Sequence, residues 1–188
     1  MTNMYNKEEA GRSMVEMLGV LAIVGVLSIG GISGYSKAMA KYKVNKTLDQ
    51  VSMLVTNIRT TYGNQSAYTG LTPSALISYE LVDREMYHSS TSKLVNPYNG
   101  NVTVAAAGTG DVSFTVTYEG LPREACASIA SSNWGDSAAS GLVSMQINDS
   151  DEHTWTTSGT NALPIPFSTA GTECSGTGNA NKIKWTYY

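Results

Sequence analysis

At 188 residues, with a net charge of -3, the chain has room for one ordinary domain plus an anchor and gives nucleic acid no electrostatic attraction. Charged residues are only 14% of the chain and Gly, Ser, Thr and Asn are plentiful, which suits an exposed β-rich domain better than a cytosolic enzyme. The two cysteines, Cys126 and Cys174, are 48 positions apart, so they make no zinc pattern. In an exported protein they default to one disulfide, and in a cytosolic one to two buried thiols.

The first eleven residues carry Lys7 against Glu8 and Glu9, and then comes Arg12. From Met17 to Ile32 there is no charge, and Ser28 is the single polar side chain. A core helix would show a polar face every turn, and this stretch has none. Met14, Val15, Ser33 and Gly34 extend the run to the roughly 20 residues that cross a bilayer. A cleaved signal peptide is the rival reading, with Ala38-Met39-Ala40 as a small-x-small site. Such a peptide needs a positively charged start, which Glu8, Glu9 and Glu16 cancel.

Glu16 sits at the edge of the apolar run. Ser13-Met14-Val15-Glu16 fits the capping box that opens a helix, and an acid in a first turn meets the positive helix end. Holding a carboxylate beside hydrocarbon still costs on the order of 2 to 3 kcal/mol. The acid therefore needs a cation. Arg12, one turn away, is one candidate. A free amino terminus, made by a cut just before Arg12, is the other.

Beyond the run the pattern becomes amphipathic. Tyr35, Met39, Tyr42, Leu48, Val51, Val55, Ile58 and Tyr62 fall largely at three- and four-residue steps, with Lys37, Lys41, Lys43, Lys46, Asp49 and Arg59 among them. No proline interrupts residues 12 to 72, so one helix is predicted from about Ser13 to Tyr62, roughly 75 Å long. Glycines at 19, 25, 30, 31 and 34 weaken its first half by up to about 1 kcal/mol each. They serve either close helix packing or local melting once the helix leaves lipid. The lysines at 37, 41, 43 and 46 would by themselves mark a cytoplasmic flank.

Tyr62 to Gly70 reads as a polar loop. Pro73 opens a short helix over Ser74 to Leu81, and Asn96-Pro97-Tyr98-Asn99-Gly100 is a strong turn signal. Strands follow at Val102–Ala105 and Val112–Tyr118, joined through Gly108-Thr109-Gly110. A helix is predicted over Pro122 to Ser132, with Cys126 in its early turns. Further strands are Leu142–Ile147, His153–Thr157 and the cleanly alternating Lys182–Tyr188. The fold class is α+β, an antiparallel sheet laid on the long helix.

Signals for other chemistry are weak. His88 and His153, the two histidines, have no triad or metal spacing and read as surface residues. Asn148-Asp149-Ser150-Asp151-Glu152 starts like a calcium loop but lacks the central Gly and the distant Glu, so it reads as a solvated turn. Trp134, Trp155 and Trp185 suit a core or a subunit contact. No nucleophile has a plausible base. The sequence therefore predicts no enzyme, no cofactor and no metal.

Gly11 followed by Arg12-Ser13-Met14-Val15-Glu16 and a charge-free stretch resembles the type IV prepilin signature. The resemblance implies that a membrane peptidase cuts after Gly11, that the new amine of Arg12 is methylated, and that Glu16 pairs with the terminal amine of a neighbouring subunit. The pattern departs from the family in having Arg12, not an apolar residue, first, and in an acidic rather than basic leader. Arg12 also lies where it would compete for Glu16 within one chain. The run "YEGLPREACASI" around Cys126, a Gly- and Thr-rich loop around Cys174, and "NPYNG" before the sheet are similar to the type IVb pilins.

The resemblance thus implies the pilin fold, with a Cys126–Cys174 disulfide region. The implied segments are a leader at 1–11, a membrane and filament-core half-helix at 12–34, an amphipathic half-helix at 35–62 and a head at 63–188. It implies a homo-oligomeric helical filament, a prepilin peptidase and an assembly platform as partners, and an inner-membrane stage before export from a Gram-negative cell. That family orientation, with the N-terminus cytoplasmic, outweighs the lysine flank. A minor pilin or type II secretion pseudopilin has the same anchor. From another class, the alternative is a secreted binding domain cut after Ala40.

Overall fold

The computed structural model describes residues 5–88, 92–135, 140–156, 159 and 161–188, with side chains from 14 onward and without that of residue 88. The chain forms two compact units, Met1–Tyr42 and Lys43–Tyr188.

One helix, α1, runs over Tyr5–Tyr62. It starts eight residues earlier than the capping box predicts, because Lys7-Glu8-Glu9-Ala10 are good helix formers and nothing breaks the backbone there. Ser13 is therefore an interior position, not a cap. In the first unit the apolar side chains from Met14 to Ile32 are exposed, with Val26 and Ile29 each 73% accessible. Two hydroxyls of this stretch and its rim are satisfied within the helix. Ser28 Oγ donates to the Val24 carbonyl at 2.8 Å and Ser36 Oγ to that of Ile32 at 2.9 Å. A polar group that bonds its own backbone can enter hydrocarbon at reduced cost.

In the second unit α1 buries Val51, Leu54, Val55, Ile58 and Tyr62. The predicted amphipathic face is thus buried from Val51 onward and half-buried at Leu48, whereas Tyr35 and Tyr42 stay exposed. Among the described residues the sheet has seven strands: β1 Tyr87–His88, β2 Lys93–Val95, β3 Asn101–Ala107, β4 Ser113–Leu121, β5 Leu142–Ile147, β6 His153–Thr154 and β7 Asn181–Tyr187. Their order is β1-β2-β3-β4-β7-β5-β6, and every neighbouring pair is antiparallel. β7 therefore sits between β4 and β5. Its alternation places Ile183, Trp185 and Tyr187 inward, and Trp185 meets Tyr118 edge-on with ring centroids 5.8 Å apart.

Among the described residues, three short α-helices and a 3-10 turn at Arg84–Met86 accompany the sheet. α2, Pro73–Ser78, is capped by Thr72, whose Oγ1 accepts from the Ala75 amide at 3.2 Å. It stops short of the predicted Leu81 because Glu80 takes a left-handed φ of 55°. α3 is Arg123–Ala130, directly after β4. α4, Phe167–Glu173, falls where the sequence reads as a Gly- and Thr-rich loop. Pro166 at its N-cap starts it, and the buried Ala170 anchors it.

The turn at Asn96–Gly100 is pinned by a buried side chain. Asn96 Oδ1 accepts from the amides of Tyr98 and Gly100 at 2.9 and 3.0 Å, and its Nδ2 donates to the Glu119 carbonyl at 2.7 Å. Glu119 lies where β4 shifts register against β7, between Tyr118 and Leu121, with Gly120 at a φ of 73°. A Cβ on Gly100 would fall 1.8 Å from the Glu119 carbonyl oxygen, so glycine is obligatory there.

Candidate functional site

Two regions carry the residues singled out by sequence. The first is the stem. Gly11 and Arg12 lie in the helical backbone of α1, and their side chains are outside the described residues. Glu16 is exposed, and among the described residues no cation lies within ion-pair distance of it. The apolar side chains around it, Met14, Val15, Met17 and Leu18, are all at least 63% accessible. A Cβ at Gly19, Gly25, Gly30, Gly31 or Gly34 would meet nothing within 4 Å. The stem thus offers a naked apolar cylinder with flat patches and one acid near its start. Such a surface is stable in lipid or against other helices and costly in water.

The second region is the disulfide. Cys126, on α3, is bonded to Cys174, which caps the C-terminus of α4, with Cα atoms 5.9 Å apart. Both sulfurs are buried. Closing a loop with a separation of 48 stabilises the fold by roughly 4 kcal/mol on the chain-entropy model.

Beside it lies a polar network invisible to motif reading. His153 is fully buried, contrary to its expected surface position, because β6 turns it inward onto α4. Its Nε2 is 2.8 Å from Oε2 of Glu173. The same carboxylate oxygen accepts from Ser150 Oγ at 3.2 Å. Asn148 Nδ2 donates to the Glu173 carbonyl at 2.8 Å, and Asn148 Oδ1 accepts from the Lys182 amide at 2.9 Å. Asn181 Nδ2 reaches the Leu121 carbonyl at 3.0 Å. The residues that resemble a calcium loop are thus the β5–β6 turn. Its side chains bond protein groups, with Asp149 on Lys182 at 2.8 Å. Among the described residues no three of His, Cys, Asp and Glu gather as a metal site. The hydrogen bond and charge of Asp149 raise the Lys182 pKa. The side chain of His88 is outside the described residues.

The tryptophans serve the core. Trp185 is fully buried, and Trp134 lies against it with centroids 5.0 Å apart. Trp155 donates from Nε1 to the Leu142 carbonyl at 2.8 Å. A cleft of about 370 Å³ lies between Arg59, Trp134, Ser140 and Tyr187, and Arg59 Nη1 donates there to the Ser140 carbonyl at 2.9 Å. Burial pushes the Tyr98 hydroxyl up to about 12, and pushes those of Tyr118 and Tyr187 upward as well.

Comparison with known proteins agrees with this geometry. The family model described as Bundlin matches residues 36–188. Two curated relatives, both named major structural subunit of bundle-forming pilus, come from Escherichia coli O111:H- and Escherichia coli O127:H6 (strain E2348/69 / EPEC). Each is 28% identical over 192 residues, covering 98% of this chain and 96% of the relative. Among solved structures, a type IVb pilin from Salmonella typhi superposes with a TM-score of 0.57 at 21% identity, over 76% of this chain and 98% of that one. A type IV pilin from Vibrio cholerae El Tor does so at 0.50 and 12% identity, over 80% and 99%. This chain itself has the long N-terminal helix, the antiparallel sheet and the Cys126–Cys174 disulfide. The chain belongs to the Bundlin family and has the type IV pilin fold.

Proposed function

We propose that this chain is a structural subunit of a type IVb-like pilus, polymerised through the apolar half of α1 into an extracellular helical filament. The observation that carries the reading is the exposed apolar stem, from Met14 to Ile32, on a chain of the Bundlin family. Before assembly the stem is held in the inner membrane as a prepilin. A prepilin peptidase removes residues 1–11 by cutting between Gly11 and Arg12, and the new amine of Arg12 is methylated. An assembly platform then lifts the subunit out of the bilayer. Glu16 supplies the driving charge. In lipid its carboxylate is costly, and beside the terminal amine of a neighbouring copy that cost is relieved. The segments 12–34, 35–62 and 63–188 then act as filament core, helical connector and exposed head. The role is structural, with no reaction catalysed.

Both curated relatives are named major structural subunits and align over 98% of this chain, which favours a filament-building role over a minor pilin or a secretion pseudopilin. α1 continues unbroken through Ala40, which disfavours a signal-peptide cut there. N-terminal sequencing of exported material tests the reading. A methylated Arg12 is expected, and a chain starting at Lys41 would replace the filament with a secreted domain.

A further inference from the structure

The collar just beyond the apolar span has a charge pattern that filament assembly leaves unused. From Met17 to Leu48 the sequence holds four lysines, at 37, 41, 43 and 46, and no acid. The last two have partners within the second unit. Lys43 Nζ lies 5.4 Å from the centroid of the Tyr98 ring, and Lys46 pairs with Glu85. Lys37 and Lys41 are exposed, and among the described residues neither makes an ion pair or a side-chain hydrogen bond. Four residues apart, they share one face of α1. Tyr35 and Tyr42, exposed in the same two turns, are of the type enriched where a helix leaves hydrocarbon.

We propose that Lys37 and Lys41 form a docking face for the phosphodiester headgroups of anionic membrane lipids, occupied while the subunit is embedded. This rests on the membrane-held stage proposed above. Position supports it. With Gly34 at the hydrocarbon edge, the two lysines lie about 5 and 10 Å further along the helix. The headgroup layer on each side is roughly 5 to 8 Å thick, and long lysine stems adjust their heads to reach it. Chemistry supports it too, since an ammonium is a compact point charge that binds phosphate from several directions. The lysines thereby fix how deep the stem sits and hold the subunit at one depth until it is extracted. Their place on the far flank of the span then reflects lipid binding, not a signal for orientation.

The test uses the full chain in phosphatidylcholine vesicles doped with spin-labelled phosphatidylglycerol or spin-labelled phosphatidylcholine, reading the motionally restricted fraction of each label. The wild type should restrict the anionic label several-fold more, up to roughly fivefold per lysine, and the preference should fall as salt rises. The double variant K37Q/K41Q should restrict both labels alike, while Lys37→Arg with Lys41→Arg should keep the preference. Equal restriction of both labels by the wild type, or an undiminished preference in K37Q/K41Q, would overturn the proposal while leaving the membrane stage intact. Failure to restrict either label would overturn the membrane stage and the proposal with it.

Discussion

His153 and Glu173 meet inside the head, Nε2 to Oε2, at 2.8 Å, and so tie β6 to the last residue of α4. The next residue is Cys174, so this contact also fixes one end of the disulfide. Removing the carboxylate leaves a fully buried imidazole without its partner and takes away one of two acceptors of the Ser150 hydroxyl. Glu173→Ala should therefore destabilise the head by about 2 to 3 kcal/mol. Urea denaturation with the disulfide intact measures it, and a loss below about 0.5 kcal/mol would show the pair to be incidental.

The approach of Gly100 to Glu119 leaves no room for a methyl group, because the obstacle is backbone. Gly100→Ala should cost about 3 kcal/mol or more, since either the Asn96 turn or the β4 irregularity must move. Gly110→Ala, at a φ of 79° but in open space, should cost only about 1 kcal/mol. Thermal melting of the two variants side by side gives the contrast.

Replacing both cysteines by serine should lower stability by roughly 4 kcal/mol, with the secondary structure retained at low temperature. The melting temperature of the double variant against the oxidised wild type reads this directly. An unchanged melting temperature would mean that packing of α3 on α4 alone fixes the region.

Burial sets an alkaline limit. Burial pushes Tyr98 up to about 12 and shifts Tyr118 and Tyr187 in the same direction, whereas in the unfolded chain each loses its proton near 10. A raised folded value means that the stabilisation is whole below pH 10 and is lost as pH climbs toward 12. Chemical denaturation at pH 8, 9 and 11.5 should give nearly equal stability at the first two and a clear fall at the third.

Glu16→Ala should leave membrane insertion and processing intact and reduce filament yield at least tenfold, because the relief of a lipid-facing charge on docking is gone. Electron microscopy of sheared filaments, with immunoblots of processed subunit, separates assembly from cleavage. Filaments of normal yield and length would remove Glu16 from the assembly step.

The helix and the strong alternators were legible in the sequence for plain reasons. α1 carries no breaker for its whole length, β5 matches its predicted limits, and the turn of β3 into β4 falls at Gly108 and Gly110. What escaped has physical causes. β1 and β2 are two and three residues long, below any detectable period, and are recruited by pairing alone. α4 contains Ser, Thr and Gly, poor helix formers held by the disulfide and by burial of Ala170. The inward turn of His153 depends on a partner 20 residues away, and no local pattern encodes that distance. Glu16 stands out in the sequence as a lone acid beside an apolar run, and its role stays a proposal, whereas the structural parts played by Asn96, Asn148 and Asn181 emerge only from their hydrogen bonds.

β7 follows every other strand along the chain yet must slot between two that precede it. Until it arrives, β4 and β5 each present a raw edge, which is an opening for misassociation. Asn181 has to find Leu121 across 60 residues of intervening chain. Once the cysteines are oxidised, the route through the crosslink is only about a dozen residues, so a distant search becomes a nearby one. Oxidation thus works as a timing device, shortening the interval in which an exported subunit is vulnerable to its own kind.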